Sequence, residues 1–201
     1  MGTIPEAVRE DPIRRYSNVA VALHWASALL VLIQVVLGFA FAEFMEKGPA
    51  RSEVFAWHKT LGALIFILAL ARLAYRLKNP PPPFPPELPR WRQAAARFSH
   101  RAFYFLLIVL PMTGFVAVSG MSQGGTTLLA GGVSIPVIPG ISRSASETSG
   151  DLHVILVYTT IALLLLHVAA ALFQQFIEHD RVAGRMPPFS PGHAGQVIGQ
   201  G

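Results

Sequence analysis

Apolar residues run through four stretches of this chain with few breaks, and polar residues collect between them. The stretches cover 19–42, 54–77, 98–118 and 152–177. Each exceeds the roughly 18 residues that read as a transmembrane helix. Pro111 falls inside the third, where a kink is expected and where neighbouring groups must supply hydrogen bonds. Gly38, Gly62 and Gly114 are small residues that let helices approach closely. Between the second and third stretches, 79–92 holds Pro80 to Pro83, Pro85, Pro86 and Pro89, a stiff polyproline-like connector. The segment 119–151 is rich in Gly, Ser and Thr and reads as a loop. Its apolar part, 133–141, is broken by Pro136 and Pro139 and is expected to lie along the membrane interface. The pattern predicts an all-α fold, a four-helix transmembrane bundle. It divides the chain into a polar segment over 1–18, a membrane domain over 19–177 and a polar tail over 178–201.

Composition agrees with one integral membrane domain. Of 201 residues, 52% are hydrophobic and 13% charged, where a soluble domain carries roughly twice that charged fraction. Cysteine is missing altogether, which excludes disulfides, iron–sulfur clusters, thiolate metal sites and covalent haem attachment. Residues 1–18 are polar and basic and lack a secretory signal's apolar core, so the first stretch is expected to be retained.

Charge sets the orientation. Arg9, Arg14 and Arg15 precede the first stretch, and Arg72, Arg76, Lys78, Arg90, Arg92, Arg97 and Arg101 bracket the connector. Arg181 and Arg185 follow the fourth. In an even-numbered bundle these share one side, against Lys47, Arg51, Lys59 and Arg143 on the other. The positive-inside rule then places both termini and the connector in the cytoplasm. Basic clusters at helix ends suit anionic lipid headgroups and give no reason to invoke nucleic acid.

Candidate chemistry comes from histidine. His153 and His167 lie 14 residues apart in one apolar stretch. At about 100° and 1.5 Å per residue they share a helix face to within roughly 40°, about 21 Å apart along the axis. An imidazole is expensive inside lipid, and its neutral ring nitrogen is a metal ligand. By depth, His24 matches His167 toward the cytoplasm, and His58 matches His153 toward the outside. Each pair suits one haem clamped between facing helices. A hydrogen bond across helices is the ordinary use of any one such histidine; four at matched depths favour bis-histidine ligation. Zinc is a poor rival, because each level offers two histidines and no nearby carboxylate.

His100 sits at the start of the third stretch beside Arg97 and Arg101. Three roles are open to it: replacing His24 as a ligand, bonding a haem propionate, or carrying protons to a quinone. Arg72 follows His58 by 14 residues and so sits at the cytoplasmic level on the same face. It either meets a propionate beside His24 and His167 or snorkels to the interface. Lys59 is read as serving the outer haem, an approaching anion, or simply the interface. His179 and His193, in the polar tail, are read as solvated.

These residues carry a resemblance. Arg15, Tyr16 and Ser17 are followed by Leu23-His24-Trp25, then by Trp57-His58-Lys59-Thr60-Leu61-Gly62. Arg72 with Arg76, His100 with Tyr104, and His153 come next, then Leu166-His167-Val168-Ala169-Ala170-Ala171-Leu172, with Arg185-Met186 closing the pattern. Together they resemble the prokaryotic cytochrome b561 family, within the group that includes the cytochrome b subunits of nickel–iron hydrogenases. The resemblance covers 14–187, with the block around His167 its most specific part.

It implies a four-helix protein of the bacterial inner membrane with two non-covalent haem b groups. His24 and His167 would match the ligands of one haem, His58 and His153 those of the other. It also implies electron exchange with the quinone pool, ubiquinone being the expected acceptor, and superoxide at the outer face is one candidate donor. Where the family often continues its fourth helix with lysine and paired histidines, this chain has Phe173, Gln174, Gln175 and Phe176. Bis-histidine iron has no open coordination position, so the expected chemistry is electron transfer through the haem edge. A second reading is a haem-bearing anchor subunit of a peripheral dehydrogenase or hydrogenase. A homodimer or a redox partner subunit is compatible with either.

Overall fold

Ser17 starts the first helix: its hydroxyl accepts the Ala20 N–H at 3.2 Å, satisfying one of the donors a helix N-terminus leaves free. The computed structural model describes residues 16–84, 88–122 and 124–178. Helix α1 spans Asn18–Phe39 and passes into a π-helical turn at Ala40–Phe44. Helix α2, Pro49–Lys78, places its proline in the first turn, where a missing N–H costs nothing. Helix α3 covers Arg90–Met121 and continues through Pro111 as one element. Helix α4, Arg143–Phe176, is capped by Ser142, whose hydroxyl accepts the Ala145 N–H at 3.2 Å. All four are long and apolar enough to cross a membrane. The expected multi-pass bundle is present.

Three helices outrun their apolar stretches. Helix α2 begins at Pro49, α3 at Arg90 and α4 at Arg143, because polar residues prolong a helix where water replaces lipid. The loop expected over 119–151 is correspondingly shorter. What remains carries a small antiparallel hairpin, β1 Thr126–Leu128 with β2 Ser134–Pro136, Thr127 standing opposite Ile135. Gly131 and Gly132 turn it with φ of 74° and 78°, a backbone region where a side chain is strained. The sequence reading had no hairpin here.

The helices form an up-and-down ring in which α1 lies along α2, α2 against α3 and α3 along α4. One end is tied by the Ser17 and Tyr75 hydroxyls, 2.8 Å apart, and by the Arg92–Glu178 ion pair. Near the other end Arg51 donates to the Phe41 carbonyl at 2.7 Å, and Ser149 to the Thr113 carbonyl at 2.9 Å. The dry core is small: Ile65, Ala69 and Leu107, with Leu30, Val31 and Ile108 packed on them at mid-height. Large apolar side chains such as Leu29, Val36, Ile67 and Leu165 face outward, as lipid contact requires.

Candidate functional site

Above the mid-height core, α2 and α4 bring His58 and His153 opposite one another, edge to face. Their ring centres lie 6.3 Å apart with planes at 75°. Two metal–nitrogen bonds of about 2 Å, plus about 1 Å from each nitrogen to its ring centre, give a separation of about 6 Å. The spacing is that of two imidazoles sharing one metal. The His153 Nδ1 lies 3.0 Å from the Leu110 carbonyl and 3.2 Å from Thr113 Oγ1. A carbonyl only accepts, so Nδ1 carries the proton and Nε2 keeps a free lone pair, the tautomer an iron ligand needs. The slot around the pair is lined from all four helices, chiefly by apolar residues including Val31, Val35, Leu110 and Val157. It encloses roughly 1060 Å³ counting its open mouth.

Glycines make this arrangement possible. A Cβ at Gly38 would stand 3.2 Å from His58 Cε1, and one at Gly114 would stand 3.1 Å from His153 Cε1. The sequence reading gave these glycines to helix–helix approach; what they admit is an imidazole ring each. Gly62 in the same way makes room for the Gln34 amide, 3.2 Å from where its Cβ would stand.

Below the core, the level nearer the proline-rich connector holds three histidines. Arg72 Nη2 donates to His24 Nδ1 at 2.9 Å. A guanidinium has no acceptor, so here the His24 proton sits on Nε2. His100 and His167 have ring centres 6.1 Å apart with planes at 70°, and Phe103 stacks edge-on against His167 at 5.3 Å. His24 lies within electrostatic reach of both. Arg72 and Arg76 flank the Tyr104 ring at 5.6 Å and 5.9 Å. Tyr16, Leu23, Arg72, Arg76, His100 and Tyr104 line a smaller hollow open toward the connector.

His58 thus stands opposite His153, while the level nearer the connector gathers His24, His100 and His167 rather than two rings alone. The apolar pattern puts His100 at the start of a helix. Because α3 begins at Arg90, it lies ten residues inside, level with His167. Lys59 is engaged: its Nζ donates to Thr127 Oγ1 at 2.8 Å and lies over the Phe55 ring. His179 and His193 lie outside the described residues. Thr113 and Gln34 are not among the residues the histidine pattern singles out. The second has a signal, the one amide in the apolar stretch 19–42.

The residues present fit haem. A paired set of imidazoles at metal-sharing distance, a protonated Nδ1 on a carbonyl, and glycines that clear space for the rings all suit a flat iron macrocycle between helices. Below them, two arginines stand where anionic side groups of such a cofactor find partners.

Comparison with known proteins gives the same direction. The chain is 28% identical over 173 residues to cytochrome b561 homolog 2 of Escherichia coli (strain K12), covering 86% of this chain and 90% of that protein. It is 26% identical over 183 residues to a Yersinia pestis protein named "Probable superoxide oxidase CybB", covering 89% of this chain and 99% of the relative. Cytochrome b561 homolog 1 of Escherichia coli (strain K12) is 27% identical over 180 residues, covering 88% and 98%. The family model for prokaryotic cytochrome b561 matches residues 15–188. With four membrane-crossing helices and histidines gathered at two depths, the chain belongs to the prokaryotic cytochrome b561 family, whose members carry haem b and transfer electrons in the membrane.

Proposed function

We propose that this protein holds two haem b groups and passes electrons between a one-electron donor at the outer face and ubiquinone in the bacterial inner membrane. His58 and His153 would hold the haem toward the outside through their ring nitrogens, and His24 and His167 the one toward the cytoplasm. The observation that carries the reading is the outer pair: two imidazoles 6.3 Å apart across a slot lined from every helix. When bound, the haems supply one-electron steps without an open iron position.

The chain's own residues set the terms. Leu110 and Thr113 hold His153 with its proton on Nδ1. Ligation by His24 through Nε2 requires Arg72 to release Nδ1, and a propionate is the stronger acceptor for that guanidinium. The mid-height core of Ile65, Ala69 and Leu107 keeps water from joining the two levels.

A pyridine haemochrome assay on purified protein tests the ligand set. Two haem b per chain are expected, with one lost on replacing His24, His58, His153 or His167 by alanine and none on replacing His100. The 6.1 Å approach of His100 to His167 gives this comparison its point. Retention of both haems in the His24 variant, with loss in the His100 variant, assigns the inner ligand to His100. Superoxide is the donor we propose, from the name of the Yersinia pestis relative. Stopped-flow mixing should show haem reduction by superoxide and reoxidation by a soluble quinone; reduction no faster than background excludes that donor.

A further inference from the structure

Three buried side-chain atoms among the described residues have no hydrogen-bond partner: Gln34 Oε1, His58 Nδ1 and Gln175 Oε1. Two of them belong to residues that line the same slot, and they are complementary. Gln34 Oε1 only accepts. His58 Nδ1 donates whenever Nε2 is given to iron. The two ligands of the outer pair are thus unequal, for His153 has the Leu110 carbonyl at 3.0 Å, whereas the His58 ring only approaches the Gln34 main-chain carbonyl and its Nδ1 makes no full hydrogen bond.

Gln34 is already fixed on His58 by its other end. Its Nε2 donates 2.9 Å to the His58 backbone carbonyl. Because that carbonyl can only accept, the amide's orientation is set, and Oε1 is the atom left over. The reach from α1 to α2 exists because Gly62 has no side chain in the way. An amide in mid-membrane is costly unless its groups are used, and half of this one is used on a proposed ligand.

We infer that Gln34 is a positioning residue for the outer haem: its amide anchors the His58 main chain, and its Oε1 accepts the His58 Nδ1–H, directly or through one water, when that imidazole binds iron. This rests on the proposed ligation by His58. An acceptor on Nδ1 makes an imidazole a more basic ligand, which favours ferric over ferrous iron and lowers the reduction potential. Gln34 then sets the outer haem's potential without touching iron.

Potentiometric titration of the purified holoprotein, with haem counted per chain, is the test. The His58→Ala variant, which keeps the inner haem alone, identifies the two potentials; if it keeps both haems, the ligand reading itself fails. In Gln34→Leu the outer haem's ferrous-to-ferric ratio at fixed ambient potential should rise about tenfold, about 59 mV for one electron, with the inner potential unchanged. Gln34→Glu, which keeps an acceptor oxygen, should hold the outer potential at or below that of the parent protein. Unchanged potentials in Gln34→Leu with both haems bound, or an equal shift of both, overturn the inference and leave the ligand reading standing. Should Gln34→Leu lose the outer haem, Gln34→Glu decides: an outer potential raised as far as the leucine prediction overturns it.

Discussion

A methyl group at Gly114 would stand 3.1 Å from His153 Cε1 and 3.2 Å from Nδ1, closer than ordinary packing allows. The ring must move, and with it the hydrogen bond to Leu110 that holds its tautomer. Gly114→Ala is therefore expected to bring haem content from the proposed two per chain toward one, while the spectrum of the proposed inner haem persists. Gly38→Ala, with contacts of 3.2 Å and 3.6 Å to His58, should do the same more weakly. Haem-to-protein ratios after size-exclusion chromatography check both. At this scale the sequence was informative about His58 and His153, since the position of each about one turn inside the end of its apolar stretch converts into a matched depth. It said less about His24, His100 and His167. Which two of three rings approach depends on how far α3 extends below its apolar run, and hydropathy does not record that.

Helix ends were harder to read than helix centres, for a physical reason. The apolar pattern reports only the part of a helix in hydrocarbon, whereas α4 begins nine residues earlier, where Ser142 caps it. That cap gives a direct prediction. Ser142→Ala should cost about 1 kcal/mol of stability, seen as a modest fall in thermal midpoint in detergent with both haems retained. The hairpin of β1 and β2 was illegible because its strands are three residues each and rest on the helices for support. Lys59 donates to Thr127 and the Thr60 hydroxyl accepts the Ala130 N–H at 2.9 Å, so the hairpin is pinned over the outer end of α2. Thr127→Val should release the Lys59 ammonium and raise the second-order rate of haem reduction by an anionic donor a few-fold at low salt. Stopped-flow rates at matched ionic strength read this out; an unchanged rate means the ammonium does not face the donor's path.

Across the whole molecule, twelve basic residues on one side against four on the other give the proposed orientation. Reporter fusions at either terminus should be active only in the cytoplasm. The outer cations are largely engaged: Lys59 with Thr127, Arg51 with the Phe41 carbonyl, Arg143 with Glu147 at 2.8 Å. Glu43, Glu46, Glu53 and Asp151 lie toward the same face. The long-range field there is weak, so donor-driven reduction should change little with added salt, and a steep fall would show strong steering. The number and order of spans could be read from the chain, since lipid permits few alternatives. How tightly the ring closes could not be. Three of its seams are packed along their length, and α1 meets α4 more sparsely, with Phe39 and Tyr158 edge-to-face at 6.1 Å. A barrel stave that loose faces the bilayer like a door in a wall, so haem supplied to the folded apoprotein in vesicles should be taken up without denaturant, and uptake only after unfolding would show that seam to be shut.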